Sequence, residues 1–168
     1  MSSCSSSDLD TSSWSQYKSK EYNFSLKYPA DWKESKGTGR QYFYVSETEV
    51  PEEWNREVNL KSNFEIVINP TKFESIEEAG NDYEKLLKNN ESFQETKILK
   101  RSNITFKNQK AIQFVGSAKY MQIPMKWKLT MFHHNGNYYE LCSTVLEDRY
   151  EEMLPIINGI FDSVILEE

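Results

Sequence analysis

Apolar and polar side chains alternate in several short runs along the chain, and this period of two residues predicts half-buried β-strands. The most regular run, residues 22–29, has an aromatic ring or Leu at every second position and ends at Pro29, which cannot donate to a ladder. Residues 63–69 are nearly continuously apolar, which predicts a strand covered on both faces. Other β-prone runs lie at residues 41–46, 96–101, 104–107, 111–120 and 164–166.

The strongest local signal is a hairpin centred on Asn135 and Gly136, which separate two β-rich runs. This dipeptide favours a two-residue turn because both of its residues must adopt a positive φ angle. We expect the other elements to pack around this unit. The turn predicts the cross-strand pairs Phe132 with Tyr139, Thr130 with Leu141, and Leu129 with Cys142.

A period near 3.6 residues predicts two amphipathic helices. The first covers residues 75–88 and begins with a capping box, in which Ser75 and Glu78 each bind a free amide of the first turn. Gly80 lies inside this helix and costs it about 1 kcal/mol relative to Ala. The predicted buried stripe comprises Ile76, Ala79, Tyr83, Leu86 and Leu87.

The second helix begins within residues 148–151, which are expected to cap it. Pro155 lies inside this helix and removes one backbone hydrogen bond, so we expect a kink there. The predicted buried stripe comprises Tyr150, Met153, Leu154, Ile157, Ile160 and Phe161. Strands with antiparallel neighbours and two helices that cover them predict an α+β fold.

The 168 residues carry a net charge of -6, and the sequence pI is about 5.1. This acidic balance argues against binding to nucleic acid and against electrostatic docking on an anionic membrane. No apolar run approaches the ~20 residues that a membrane-spanning helix needs. The length suits one domain, which we place at residues 19–168.

Residues 1–18 are rich in serine and nearly free of apolar pattern, so we expect a disordered tether. Cys4 lies among small residues near its start, as the lipid-modified cysteine of a bacterial lipoprotein does. We therefore predict a lipid anchor on Cys4; the alternative is an ordinary serine-rich leader with a stray cysteine. Cys142 lies within a predicted strand and is interpreted as a small buried hydrophobe.

The sequence offers little that resembles an active site. His133 and His134 are its two histidines, and it holds neither a nucleophile motif nor a phosphate-binding glycine loop. His133 and Glu140 share a face of the predicted hairpin, which makes a two-ligand corner, whereas zinc sites use three or four protein ligands. We predict no metal, no cofactor and no enzyme activity.

Trp54 is the candidate contact residue for a protein partner. It lies in an acidic, irregular segment at residues 47–59. An exposed indole ring can anchor a partner. The alternative is that Trp54 folds back as a lid over the sheet.

Two stretches resemble the ends of PsbP-like domains. Residues 22–32 read as an aromatic strand that closes on Tyr-Pro-x-x-Trp, which is similar to the family's opening. Residues 143–150 run from a strand into an acid-Arg-aromatic helix start, and residues 160–164 end on a Ser-aliphatic pair, as in the family's last segment. The resemblance covers about residues 20–168.

This resemblance implies an α-β-α sandwich with a central antiparallel β-sheet, two main helices and no enzyme activity. Family members in photosynthetic organisms are extrinsic subunits or assembly factors of photosystem II, and other bacterial members are lipoproteins of unassigned role. We therefore expect a monomeric, extracytoplasmic lipoprotein domain that binds a protein partner and touches the membrane only through its anchor. The alternative is a cytoplasmic chaperone or adaptor on the same fold, without a lipid.

Overall fold

The computed structural model describes residues 9–35, 41–48 and 60–167. Within these residues the chain forms two antiparallel sheets and two α-helices. The elements are β1 (Ser15–Ser19), β2 (Phe24–Tyr28), β3 (Lys33–Ser35), β4 (Gln41–Ser46), β5 (Asn63–Pro70), α1 (Ile76–Lys88), β6 (Gln94–Phe106), β7 (Gln109–Tyr120), β8 (Ile123–His134), β9 (Asn137–Leu146), α2 (Tyr150–Ser163) and β10 (Ile165–Leu166).

The main sheet has seven described strands in the order β3-β4-β5-β9-β8-β7-β6, and a smaller sheet has the order β1-β2-β10. Helix α1 packs on one face of the main sheet, while α2 and the small sheet pack on the other. The predicted α-β-α sandwich is confirmed. The sequence pattern did not separate the two sheets, because a strand with one buried face looks the same in either.

Each face of the main sheet has its own apolar core. The core beneath α2 and β2 is the larger and is rich in rings, among them the perpendicular pair Phe64 and Phe161. The core beneath α1 is smaller and contains Ala79, Phe114 and Trp127. Adjacent residues of a strand alternate between these two cores, as the period of two requires.

Three successive hairpins connect β6, β7, β8 and β9 through two-residue turns with positive φ. The turn at Asn135 and Gly136 is confirmed, with φ angles of 47° and 74°. The predicted register is confirmed as well. The turn at Met121 and Gln122 was missed, because neither residue is typical of a turn that needs positive φ. The runs predicted at residues 96–101 and 104–107 are parts of one strand, β6.

Helix α1 begins as the sequence predicts, with one change of partner. The Ser75 Oγ atom accepts a hydrogen bond from the Glu78 amide at 3.1 Å, whereas the Glu78 carboxylate accepts the Glu74 amide at 2.8 Å. Leu86 was assigned to the buried stripe, and this is wrong, since 60% of its surface is exposed. Successive helical residues point about 100° apart, so the neighbouring leucines at 86 and 87 cannot both face the sheet.

The expected side-chain cap of the second helix is absent from the described structure. Helix α2 begins at Tyr150 after a 3₁₀ turn at Glu147–Arg149, and no side chain caps it. Its buried stripe is confirmed for five positions, with Leu154 only half-buried. The described 3₁₀ turn continues directly into α2, so an Asp at residue 148 is not positioned as an N-cap.

The predicted boundary of the N-terminal tether is wrong for residues 15–18. These residues belong to β1, which pairs with β2 in a continuous antiparallel register. The Tyr17 ring lies 4.4 Å from the Phe43 ring and 5.9 Å from the Phe24 ring, centroid to centroid. Because the residues on either side of Tyr17 are polar, the hydrophobic pattern of the sequence did not indicate that its ring is packed. Residues 1–8 of the predicted tether lie outside the described residues.

A buried ion pair joins the start of α2 to the end of β4. Arg149 Nη1 donates to Glu47 Oε1 at 2.8 Å, and the two side chains are 5% and 9% exposed. The same carboxylate oxygen accepts the Ser62 amide at 2.7 Å. Glu47 and Ser62 also share a backbone hydrogen bond of 3.1 Å. The pair therefore fixes both ends of the segment between β4 and β5 against α2.

Candidate functional site

The two histidines lie at the tip of the β8–β9 hairpin and point to opposite faces. His133 Nε2 lies 3.2 Å from Thr71 Oγ1, on the side of α1. His134 Nε2 lies 3.2 Å from the main-chain oxygen of Glu167, on the side of the small sheet. Both side chains are half-buried, and each has a polar atom within hydrogen-bond distance.

His133 and Glu140 lie on the same face of the sheet, as predicted, on neighbouring strands. Their cross-strand partners are Tyr138 and Met131 respectively, which places the two residues diagonally. Across residues 9–35, 41–48 and 60–167, no group of three or more His, Cys, Asp or Glu side chains could hold a metal ion. The prediction of no metal and no cofactor stays a prediction.

Two other sequence candidates, Cys4 and Trp54, lie outside the described residues. Cys142 lies on β9 as a free thiol. Burial raises the pKa of the Cys142 thiol, and the nearby Glu65 carboxylate raises it further. A thiol held protonated in this way is a poor nucleophile. The side chain is half-buried, so its interpretation as a small buried hydrophobe is only partly correct.

A cavity of about 310 Å³ lies at the edge of α1, and we call it the α1 cavity. It lies between α1, the β5–α1 connection and the ends of β5 and β9. The lining residues are Asn69, Pro70, Lys72, Phe73, Ala79, Asp82, Tyr83, Leu86, Tyr138 and Glu140.

The cavity exists because α1 lies over β7 and β8 and leaves the neighbouring β9 and β5 partly uncovered. Helix α1 packs closely on β7 at Gly80, where an added Cβ would lie 2.6 Å from Ile112 Cδ1. Glycine is therefore the residue that allows this close approach, which is worth its cost in helix propensity. The β5–α1 connection then crosses the uncovered strands, where Phe73 packs edge-on against Tyr138 at 5.4 Å.

Aromatic rings and one leucine make up the apolar part of the cavity. Phe73 and Tyr138 form one wall. Tyr83 lies on α1, and the centre of its ring is 5.2 Å from the centre of the Phe114 ring. Tyr83 also lines the cavity. Leu86 is largely exposed at the rim. An exposed leucine beside half-buried rings is a local apolar surface on an otherwise polar helix.

The charged lining residues are two acids and one base. Asp82 and Glu140 supply the carboxylates, and Lys72 supplies the ammonium group. The Lys72 Nζ atom lies 4.8 Å from the centre of the Phe73 ring, over its face. An ammonium group in this position is attracted by the negative face of the ring. The Phe73 wall thus already accommodates one cation.

The two phenols of the cavity are held protonated. Burial raises the pKa of Tyr138 well above its usual value, and the charge of Glu140 and a hydrogen bond with it raise this pKa further. Burial also raises the pKa of Tyr83, with smaller contributions from Cys142, Glu140 and Glu65. Both phenols feel the negative charge of Glu140, which therefore acts on both sides of the cavity.

The sequence pattern indicated Glu140 as a possible ligand and Ala79, Tyr83 and Leu86 as buried helix positions, but it did not predict this site. Phe73 stands in a short connection between a proline and a helix cap, and Tyr138 looked like one more strand aromatic. The pair of neighbouring leucines at the end of α1 was the available signal. One of the two had to be exposed, and the exposed one is Leu86.

The sequence model of the PsbP family matches residues 12–165. A search of curated proteins gave no match. Among solved structures, the chain is similar to the cyanobacterial PsbP protein (CyanoP) of Synechocystis sp. PCC 6803, with a TM-score of 0.72 and 10% sequence identity. That superposition covers 99% of each chain.

Two other bacterial structures share the fold. LpqN of Mycobacterium tuberculosis, described as involved in cell envelope biogenesis, matches with a TM-score of 0.62 and 18% identity, over 92% of this chain and 86% of LpqN. PA94 of Pseudomonas aeruginosa, a protein of unknown function, matches with a TM-score of 0.62 and 11% identity, over 92% of this chain and 98% of PA94. At these identities the likeness shows the fold alone.

Proposed function

The chain belongs to the PsbP family, and from this membership we propose that it is a non-catalytic accessory protein that binds a protein partner. In this proposal it works outside the cytoplasm, and a lipid on Cys4 tethers it to a membrane. Trp54 remains the candidate contact in the segment between β4 and β5. The proposal concerns a surface that holds another macromolecule and changes no bond in it.

The observation that carries the binding role is the α1 cavity and its rim. Leu86 is exposed, and Phe73 and Tyr83 are half-buried beside it, so the surface offers apolar contact area next to a recess. Protein interfaces are typically centred on such recesses, which receive one anchoring side chain of the partner. The walls come from a helix, a strand and a connection that packs on that strand, so the recess is formed before any partner arrives.

The tether and the location are supported by the serine-rich start of the chain with its single cysteine at residue 4. LpqN, which shares the fold, is described as involved in cell envelope biogenesis, and an envelope setting agrees with a lipid-anchored domain. Among the helices of the described structure, none is both long and apolar enough to cross a membrane.

Lipid labelling tests the tether. Full-length protein is expressed in its source cells with an alkyne-labelled fatty acid, and its membrane fraction is compared with that of a Cys4→Ser variant. We expect the label and the membrane association in the wild type and neither in the variant. Equal solubility of both proteins without label would instead support the cytoplasmic chaperone or adaptor.

Site-specific crosslinking tests the binding role. A photoreactive amino acid is placed at Leu86, and a matched control carries it at Leu99, which is similarly exposed but lies on β6. We expect a discrete adduct of defined mass from position 86 and none from position 99. The same adducts from both positions, or no adduct from position 86, would contradict the proposed binding surface.

A further inference from the structure

We propose that the α1 cavity receives the cationic end of one arginine or lysine side chain of the partner protein. This inference rests on the proposed binding function and names the chemistry that the partner presents. It follows from the size of the cavity, the nature of its walls and the charge of its lining, which are separate observations.

The volume limits what the cavity can hold. At about 310 Å³ it lies at the lower end of the range of ligand pockets, which is roughly 300–1,000 Å³. A nucleotide or another large cofactor needs more enclosed space than this. One long side chain, entering past the exposed Leu86, fits the dimension and keeps its aliphatic stem against apolar atoms.

The walls favour a cation. Phe73 and Tyr83 are half-buried and line one recess together with the buried Tyr138, and the face of an aromatic ring attracts an ammonium or guanidinium group. The molecule contains its own example, because the Lys72 ammonium already lies over the Phe73 ring at 4.8 Å. A partner's cation would make the same kind of contact with the rings that line the recess.

The charges favour a cation as well. Asp82 and Glu140 both line the cavity, so its lining carries one more carboxylate than it has ammonium groups. Glu140 interacts with the Tyr138 phenol, but a carboxylate offers about four lone-pair sites and can accept further donors. A carboxylate or phosphate ligand would meet a net negative lining, which disfavours an anionic partner at this site.

Arginine is expected to bind more tightly than lysine. A guanidinium group is planar, stacks on aromatic faces and donates several hydrogen bonds at once to carboxylates. Tyr83 and Tyr138 supply the rings. The hydrogen-bond acceptors are the carboxylates of Asp82 on α1 and Glu140 on β9. A planar donor can contact both kinds of group together, whereas an ammonium group is a compact point charge.

Peptide titration tests the inference directly. The full-length, ¹⁵N-labelled chain is titrated with acetyl-Gly-Arg-Gly-amide, and with the matched peptide that carries citrulline, which has nearly the same shape and no charge. We expect amide shift changes confined to Phe73, Leu86, Tyr138 and their neighbours with the arginine peptide. The citrulline peptide is expected to bind at least about tenfold more weakly, because it lacks the charge-assisted hydrogen bonds.

Charge-changing variants give effects of opposite sign at one site. Glu140→Gln and Asp82→Asn each remove a carboxylate and are expected to weaken binding of the arginine peptide by about tenfold. Lys72→Met removes the competing cation and is expected to strengthen binding by about two- to threefold. Glu151→Gln, an exposed change on α2 at the opposite face of the sheet, is the matched control and is expected to change nothing.

The outcomes separate this inference from the binding function that it refines. Equal binding of the arginine and citrulline peptides, or shift changes elsewhere on the surface, would overturn the cationic site. If Glu140→Gln perturbs the fold, Asp82→Asn and Lys72→Met still report with opposite signs. A discrete crosslink from position 86 that survives Asp82→Asn unchanged would keep the partner and refute its proposed chemistry.

Discussion

Replacing Glu47 with alanine removes one half of a buried ion pair and tests how much that pair at the start of α2 contributes to stability. In the native protein Glu47 Oε1 receives Arg149 Nη1 at 2.8 Å and the Ser62 amide at 2.7 Å. After the substitution, the described carboxylate nearest to the guanidinium is that of Glu152, at 3.6 Å and largely exposed. Arg149 Nε already has no partner among the described residues. The substitution therefore leaves a buried charge nearly uncompensated.

The expected cost follows from that geometry. Removing one partner of a buried pair typically destabilises a protein by about 3–5 kcal/mol. The Ser62 amide loses an acceptor in the same step, so we expect a value toward the upper end of this range. For a chain of this length, such a change corresponds to a fall in Tm of roughly 10 °C. Glu91→Ala, an exposed change in the turn after α1, is the control and is expected to stay within about 0.5 kcal/mol.

Chemical unfolding in urea, followed by circular dichroism and tryptophan fluorescence, measures these values. The double variant Glu47→Leu/Arg149→Met replaces both charges by apolar groups and is expected to recover most of the stability that Glu47→Ala loses. A loss below about 1 kcal/mol in Glu47→Ala would show that the ion pair contributes little to stability and would contradict the role assigned to it. So would a double variant whose loss equals the sum of the losses in Glu47→Leu and Arg149→Met.

Three further predictions concern packing, pH and the exposed helix face. Gly116→Ala is expected to destabilise by about 1–3 kcal/mol and to shift tryptophan fluorescence, because an added Cβ would lie 2.1 Å from the Trp127 ring. Burial raises the pKa of Tyr28 and of Tyr139 to about 12. Their folded pKa values lie above the unfolded value of 10.0, so their stabilising contribution is complete below pH 10 and is lost as the pH rises from about 10 to 12. Unfolding free energies measured across this window should fall less steeply in Tyr28→Phe, and an unchanged slope would contradict this. Leu86→Asn should leave the unfolding free energy within about 0.5 kcal/mol, since the side chain is mainly exposed; a loss of 2 kcal/mol or more in the same urea assay would contradict the described exposure.

The local signals in the sequence predicted the parts of the fold that depend on neighbouring residues. Asn135 and Gly136 defined a turn, and the turn fixed the register of β8 and β9 residue by residue. Ser75 marked the start of α1 for the same reason, because its oxygen reaches an amide three residues away. Such features are predictable since each is determined by residues that lie close together in the chain.

The features that the sequence did not predict depend on partners far apart in the chain. Strand β1 is ordered because Tyr17 packs on Phe43, which belongs to the other sheet. Gly80 looked like a cost to α1, and the structure explains it by the approach to Ile112. The hydrophobic periodicity of a short segment carries no information about contacts between residues more than 20 positions apart.

The α1 cavity is the clearest example of this limit. Phe73 and Tyr138 are 65 positions apart in the sequence and form one wall. Glu140 was recognised as a candidate ligand beside His133, but its aromatic neighbours in space could not be read from its strand. Predicting the site would therefore have required the order of strands in the sheet, which places β5 beside β9.

Binding of a cationic side chain of a partner protein in the α1 cavity can be measured as a preference for arginine over citrulline. The dissociation constants of the arginine and citrulline peptides are determined for the wild type and for Glu140→Gln by the titration described above. We expect the wild type to prefer arginine by about tenfold or more and Glu140→Gln to lose most of this preference. A wild type with no preference, or a preference that Glu140→Gln retains in full, would contradict it.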